Sequence, residues 1–125
     1  MSDLKYTQEH EWLRREADGS VTLGITDYAQ EQLGDIVFVE LPAVGVHLDA
    51  DTNFVVIESV KAVGEVKLTV GGTVLAVNER LADAPELVNG SPEGDGWLLR
   101  VQLDDAALLD KLMDGNAYHA FVQEL

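Results

Sequence analysis

The chain has no cysteine, few bases and no long apolar run. Without cysteine there is no disulfide framework, no thiolate metal site and no cysteine nucleophile, which fits a reducing compartment. Eight Lys and Arg stand against 23 Asp and Glu, a formal net charge of −15. Affinity for phosphate backbones and anionic membranes rests on clustered bases, so nucleic acid and membrane surfaces are poor partners. No apolar stretch approaches the roughly 20 residues of a spanning helix. The start Met1-Ser2-Asp3-Leu4-Lys5 lacks both the apolar heart of a signal peptide and the Arg-rich character of a transit peptide. A soluble, cytoplasmic protein is expected, with residues 1–125 forming one domain. Bases are also missing locally. Between Arg15 and Lys61 there is no Lys or Arg, while Glu16, Asp18, Asp27, Glu31, Asp35, Glu40, Asp49, Asp51 and Glu58 fall in that interval. Such a field serves solubility, or steers docking onto basic surfaces of other proteins.

What is present is mostly strand signal. Val21 to Ile25, Ile36 to Leu41, Asn53 to Ser59, Glu65 to Val70, Thr73 to Val77 and Trp97 to Leu103 are short, rich in β-branched or aromatic residues, and separated by Gly, Pro, Asn or Asp. Their number and spacing predict a β-sandwich or partly open barrel. Thr26 or Asp27 can cap a short helix through Leu33, stopped by Gly34. Asp104 can cap another through about Met113, with Leu108, Leu109, Leu112 and Met113 on one face and Asp114-Gly115 ending it. Asn116 then opens a terminal helix carrying Ala117, Phe121 and Val122. A β core with a carboxy-terminal helical cover is expected.

Lys61 is the only lysine between Lys5 and Lys67, and it lies in Glu58-Ser59-Val60-Lys61-Ala62 between two predicted strands. Phe54-Val55-Val56-Ile57 is apolar on both faces, as in a strand buried on both sides. Glu65 to Val70 alternates, with Val66, Leu68 and Val70 inward and Glu65, Lys67 and Thr69 outward. Only Ser59 to Gly64 lies between them, a tight reversal with Lys61 at or near its apex and Gly64 available for an unusual backbone angle. An exposed hairpin lysine is usually a solvated charge, and Lys67, mid-strand on an outer face, is the ordinary case. A protruding amine on a rigid base, however, is also what a covalent attachment point needs.

Rival motifs fail on spacing. His10-Glu11-Trp12-Leu13-Arg14 has Arg where a zinc-protease motif requires the second His. Asp49-Ala50-Asp51-Thr52-Asn53 begins like a calcium loop, yet Phe54 takes the glycine position and Val60 the glutamate position. Gly90 to Gly96 lacks the lysine and strand-to-helix setting of a phosphate loop. His10, His47 and His119 form no ligand set, and Trp12 and Trp97 read as core or barrel-wall residues. No nucleophile with its base is visible, so catalysis and a metal are not expected.

A series of landmarks spans nearly the whole chain. Leu4-Lys5-Tyr6 and His10-Glu11-Trp12 are followed by Gly24-Ile25-Thr26-Asp27, Ala29-Gln30, Leu33-Gly34-Asp35 and Val37-Phe38-Val39-Glu40-Leu41-Pro42. Then come Gly45, Glu58 to Ala62, Gly72, Val77-Asn78, Pro85-Glu86-Leu87-Val88-Asn89 and Gly94-Asp95-Gly96-Trp97. In this order and spacing the chain resembles the glycine cleavage system H proteins, the lipoyl carriers of glycine decarboxylation. The resemblance implies a mainly β, lipoyl/biotinyl-carrier-like barrel sandwich of the hybrid-motif kind, lipoate in amide linkage to Lys61, and no catalysis by the carrier itself. Lysine stem and lipoyl chain together span about a dozen bonds, an arm on the order of 14 Å. The implied cycle takes an aminomethyl group from the pyridoxal-phosphate glycine decarboxylase to a tetrahydrofolate-dependent aminomethyltransferase. Dihydrolipoamide dehydrogenase then reoxidises the arm, and a separate lipoate-attaching enzyme loads the lysine. The cofactor carries the chemistry and the protein supplies position.

The resemblance further implies a surface cleft that shelters the loaded arm from water, with Glu11 near it and Glu65 contributing in the same way; each is otherwise a solvated acid. Two departures stand out. After Lys61-Ala62 the run Val63 to Thr69 has no proline where the family commonly shows one, so the returning strand keeps an amide, and Tyr28 stands where histidine is common. A biotin carrier would flank its lysine with methionine, whereas Val60 and Ala62 flank Lys61. A relay protein that passes lipoyl or octanoyl groups to other lipoyl-dependent enzymes would use the same lysine and stays open as the alternative.

Overall fold

The computed structural model describes residues 4–50, 52–68 and 71–125. In these, strands β1 (Leu4–Tyr6), β2 (Glu11–Arg15), β3 (Val21–Ile25), β4 (Ile36–Glu40), β5 (His47–Leu48), β6 (Thr52–Ser59), β7 (Val63–Leu68), β8 (Gly72–Val77) and β9 (Leu99–Leu103) build two antiparallel sheets. The six-stranded sheet runs β1-β2-β3-β9-β8-β5 and the three-stranded one β4-β6-β7. The two face each other as an open sandwich rather than a closed barrel, with side chains of both inner faces forming the core. Leu13, Val21, Leu23 and Val101 from the larger sheet meet Val55 and Ile57 from the smaller. Each such side chain, fully buried, contributes about 1.5–3 kcal/mol.

Helix α1 (Asp27–Leu33) begins as the sequence predicts. Thr26 caps it, its side chain accepting from the Ala29 N–H, and Gly34 ends it at φ 83°. Helix α2 (Leu87–Gly90) and a 3-10 turn at Glu79–Ala82 follow β8 and carry Val88 and Leu81 into the core. Helix α3 (Gly115–Gln123) is capped by the Asp114 carboxylate, which accepts from the Ala117 N–H. It covers a second cluster of Tyr6, Trp12 and Tyr118, with Trp97, Phe121 and Val122 packed around it. No helix among the described residues is long and apolar enough to cross a membrane.

Several expectations are corrected. The 104–113 segment is a 3-10 run at Ala106–Lys111 capped by Asp105, not an α-helix capped by Asp104, and Asp114 starts α3 instead of ending its predecessor. Strands β1, β2 and β5 join the larger sheet without having been foreseen. In β6 only one face is fully buried: Val55 and Ile57 point into the core, while Val56 is half-buried. Thr69 and Val70, expected to close β7, and Asp51 of the excluded calcium loop lie outside the described residues, as do the side chains of Phe54, Lys67, Leu68 and Leu108.

Candidate functional site: a lysine hairpin beside an acidic cleft

The β6–β7 reversal takes only Val60, Lys61 and Ala62, and Ser59 organises it. The Ser59 hydroxyl accepts from Lys61 N at 3.3 Å and Ala62 N at 3.0 Å and donates to Ala62 O at 3.1 Å. The Ser59 N–H donates to that same carbonyl at 2.8 Å. A serine that binds backbone groups two and three residues on folds a tight turn without glycine at its apex. Lys61 is exposed between exposed Val60 and Val63. Among the described residues its ammonium has neither a hydrogen-bond nor an ion-pair partner.

The lysine stem runs over the end of α1. It lies across Gly34, where an added Cβ would come within 3.1 Å of Lys61 Cε and 3.6 Å of Cδ. One residue on, the Asp35 carbonyl accepts from the Val60 N–H at 3.0 Å. The end of α1 therefore serves as a base for the hairpin tip. Gly64 plays a different part from the one expected. Its φ is not positive; instead Leu33 closes onto it, so that a methyl at residue 64 would meet Leu33 Cδ2 at 3.1 Å.

Beside this base a cleft of about 200 Å³ opens between α1, the start of β2 and the edge of β7. Ala29, Leu33, Ile57 and Val66 give it apolar walls, and Glu11 and Glu65, remote in sequence, both line it. Glu11 is only 3% exposed. Its N–H donates to Thr7 Oγ1 at 3.2 Å, while the Thr7 hydroxyl donates to its Oε1 at 3.3 Å. Glu65 sits at the exposed rim. Leu33 lines the cleft while the adjacent Gly34 touches Lys61, so the cleft mouth adjoins the lysine base.

His10, one of three histidines that form no ligand set along the chain, also lines the cleft. It holds φ 67°, the one non-glycine with positive φ among the described residues, and its Nδ1 lies 2.8 Å from the Tyr118 hydroxyl. That hydroxyl is also 2.7 Å from Thr26 Oγ1, so α3, the β1–β2 turn and the cap of α1 meet at one phenol. Tyr28 leans on the His10 ring with centroids 4.5 Å apart. Burial pushes the His10 imidazole below its ordinary range, against the opposing charge of Glu9. Burial, reinforced by Glu93, lifts the Tyr6 phenol to about 12. Left-handed backbone at a non-glycine was the feature marking His10, and it is invisible in a list of residue types. Among the described residues no group of three or more His, Cys, Asp or Glu side chains could hold a metal.

The family model described as glycine cleavage H-protein matches residues 4–125. The glycine cleavage system H protein of Idiomarina loihiensis is 51% identical over 123 residues, 98% of this chain and 95% of that protein. The one from Chromohalobacter salexigens is 52% identical over 121 residues, covering 97% and 92% of the two. A crystal structure of a glycine cleavage system H protein from Mycobacterium marinum superposes with a TM-score of 0.85 at 35% identity, covering 100% of this chain and 99% of that one. From hairpin, cleft and full-length similarity together, the chain belongs to the glycine cleavage H-protein family.

Proposed function

We propose that residues 1–125 form a single non-catalytic carrier domain whose arm is lipoate bound through an amide to Lys61. The observation that carries this reading is an exposed amine without a polar partner among the described residues, on a short ordered turn beside a cleft with apolar walls and two carboxylates. Those features fit an attached acyl chain. The amine is open to an attaching enzyme, Gly34 leaves room for the stem, and the apolar walls suit a hydrocarbon arm. When bound, the lipoyl group supplies a disulfide able to accept the aminomethyl group released from glycine and to be reoxidised afterwards.

This chain's own residues hold and shelter that group. Ser59 fixes the turn, Gly34 directs the stem, and Leu33, Ala29 and Val66 give the cleft apolar surface. Glu11 and Glu65 offer negative charge to a cationic amine brought into it, an attraction strengthened where solvent is displaced. The proposed partners are the pyridoxal-phosphate glycine decarboxylase, the tetrahydrofolate-dependent aminomethyltransferase, dihydrolipoamide dehydrogenase and a lipoate-attaching enzyme, all in the cytoplasm.

The test is intact mass before and after incubation with a lipoate ligase, lipoate and ATP, for wild type and Lys61→Arg. One lipoyl increment on the wild type and none on the variant is the expected result. No increment, or one that survives the substitution, overturns the reading.

A further inference from the structure

The segment Pro85 to Asn89 has no part in the cleft, yet its last residue reaches the base of the arm. Val88 is fully buried and anchors α2 in the core, which leaves the neighbouring Asn89 amide facing the turn between α1 and β4. Its Oδ1 accepts from Ile36 N at 2.8 Å, and its Nδ2 donates to Gly34 O at 2.8 Å and to Gln30 Oε1 at 2.9 Å. Both amide protons and the carbonyl are thus used. These bonds bracket Asp35, the residue whose carbonyl holds the Val60 N–H, and they fix Gly34, on which the Lys61 stem lies.

We propose that Asn89 is a positioning residue for the attachment lysine, acting through the Gly34–Asp35–Ile36 turn to hold the hairpin tip at one height and direction. The proposal rests on the reading of Lys61 as the attachment site. The bonds inside the tip run from Ser59 to Lys61 and Ala62 and shape the turn itself. Its orientation relative to the body is set by the pairing of Ile36 with Ser59 at the start of β4 and by what the Asp35 carbonyl and Gly34 offer it. Releasing that turn leaves the strands intact and lets the tip sample other directions. An enzyme that reads only the presented form then meets a smaller fraction of competent carrier, which raises the apparent KM without slowing the chemical step.

The matched comparison is built into the molecule. Asn78 is 2% exposed and donates through Nδ2 to Asp95 O and Trp97 O, both at 2.8 Å, on a segment other than the hairpin base. Asn78→Asp and Asn89→Asp remove the same donors, and both are expected to lower the unfolding midpoint. Only Asn89→Asp is expected to speed hydrogen exchange at the Val60 amide, by about tenfold, the effect of losing one hydrogen bond. It should also raise the KM of the unmodified carrier for a lipoate ligase several-fold with kcat held. Equal effects of the two variants on Val60 exchange, or exchange in Asn89→Asp at the wild-type rate, overturn the proposal. If Asn89→Asp does not fold, Gln30→Ala removes one of the three bonds and should speed Val60 exchange to a smaller degree; no change there overturns it equally. A wild type that takes no lipoyl group would sink the attachment reading, while the exchange comparison would still decide whether Asn89 holds the tip.

Discussion

A lysine serves as an anchor when nothing competes for its amine, and among the described residues Lys61 meets that condition while its methylene stem lies over Gly34. Under the proposed function, Glu11 and Glu65 act on what the arm brings to the cleft they both line. Replacing Glu11 with Gln keeps shape and removes charge from a buried position. Loss of a charged hydrogen-bonding partner costs about 1.5–3 kcal/mol, so ammonia release from the loaded carrier should quicken by roughly tenfold or more, with a smaller change for Glu65→Gln at the rim. An unchanged release rate in Glu11→Gln would remove that carboxylate from the sheltering role. Gly24 gives a prediction of another kind. It faces Trp12 across β2 and β3, and a methyl there would lie 2.9 Å from the indole ring. Trp12 is fully buried, with Nε1 donating to Pro92 O at 2.9 Å, and has little room to yield. Gly24→Ala is expected to lower stability by about 1–3 kcal/mol in urea unfolding. Residue types at the reversal pick out Lys61 as a candidate, and Glu11 and Glu65 enter as candidates only through the family resemblance. Residue types were silent about Gly34 and Asn89 as supports, because an amide or a glycine takes its role from its neighbours in space.

Among the elements, the β6–β7 hairpin was the most legible, since alternation in β7 and the Ser59 and Lys61 that mark the reversal are local signals. Strand β5 was not, because two residues carry no periodicity. It lies at the edge of the larger sheet, paired to β8, and His47 ties it across to Asp104, with Nε2 and Oδ2 2.7 Å apart. The hydrogen bond to Asp104, then the charge of that carboxylate, raises the His47 pKa above 6.5. A raised histidine adds stability that is fully present below its unfolded value and is lost as pH rises through the folded one. The difference in unfolding midpoint between wild type and His47→Gln should therefore be greatest below about pH 6.5 and close at higher pH. His10, held below its ordinary range, works in the opposite sense, costing stability as pH falls below 6.5. It is common to both proteins, so it drops out of the comparison; a gap that widens with pH would refute the clasp. In the 104–113 segment Leu108, Leu109, Leu112 and Met113 fit helical spacing, yet no α-helix forms there. The link between β9 and α3 instead takes a 3-10 run and then a bridge from Met113 back to Tyr6.

For the molecule as a whole, the charge of −15 sets a long-range field that acts on encounter more than on the bound complex. Screening shortens its reach from about 10 Å at 0.1 M salt to about 3 Å at 1 M. At subsaturating carrier, the decarboxylase half-reaction should slow several-fold over that range, with little change at saturation. A rate indifferent to ionic strength would assign the acids to solubility alone. The chain by itself determined its charge, most of its strands, the cap and stop of α1 and the lysine at a reversal, because these depend on neighbours within a few positions. The tertiary structure decided which strands share a sheet, that Glu11 and Glu65 meet at one cleft, and that Asn89 grips Gly34 from 55 positions away while Tyr118 reaches His10 across 108. The physical reason is that turns and caps are satisfied by adjacent backbone, whereas a cleft wall or a supporting amide is defined only when packing of the core brings distant segments within hydrogen-bond reach.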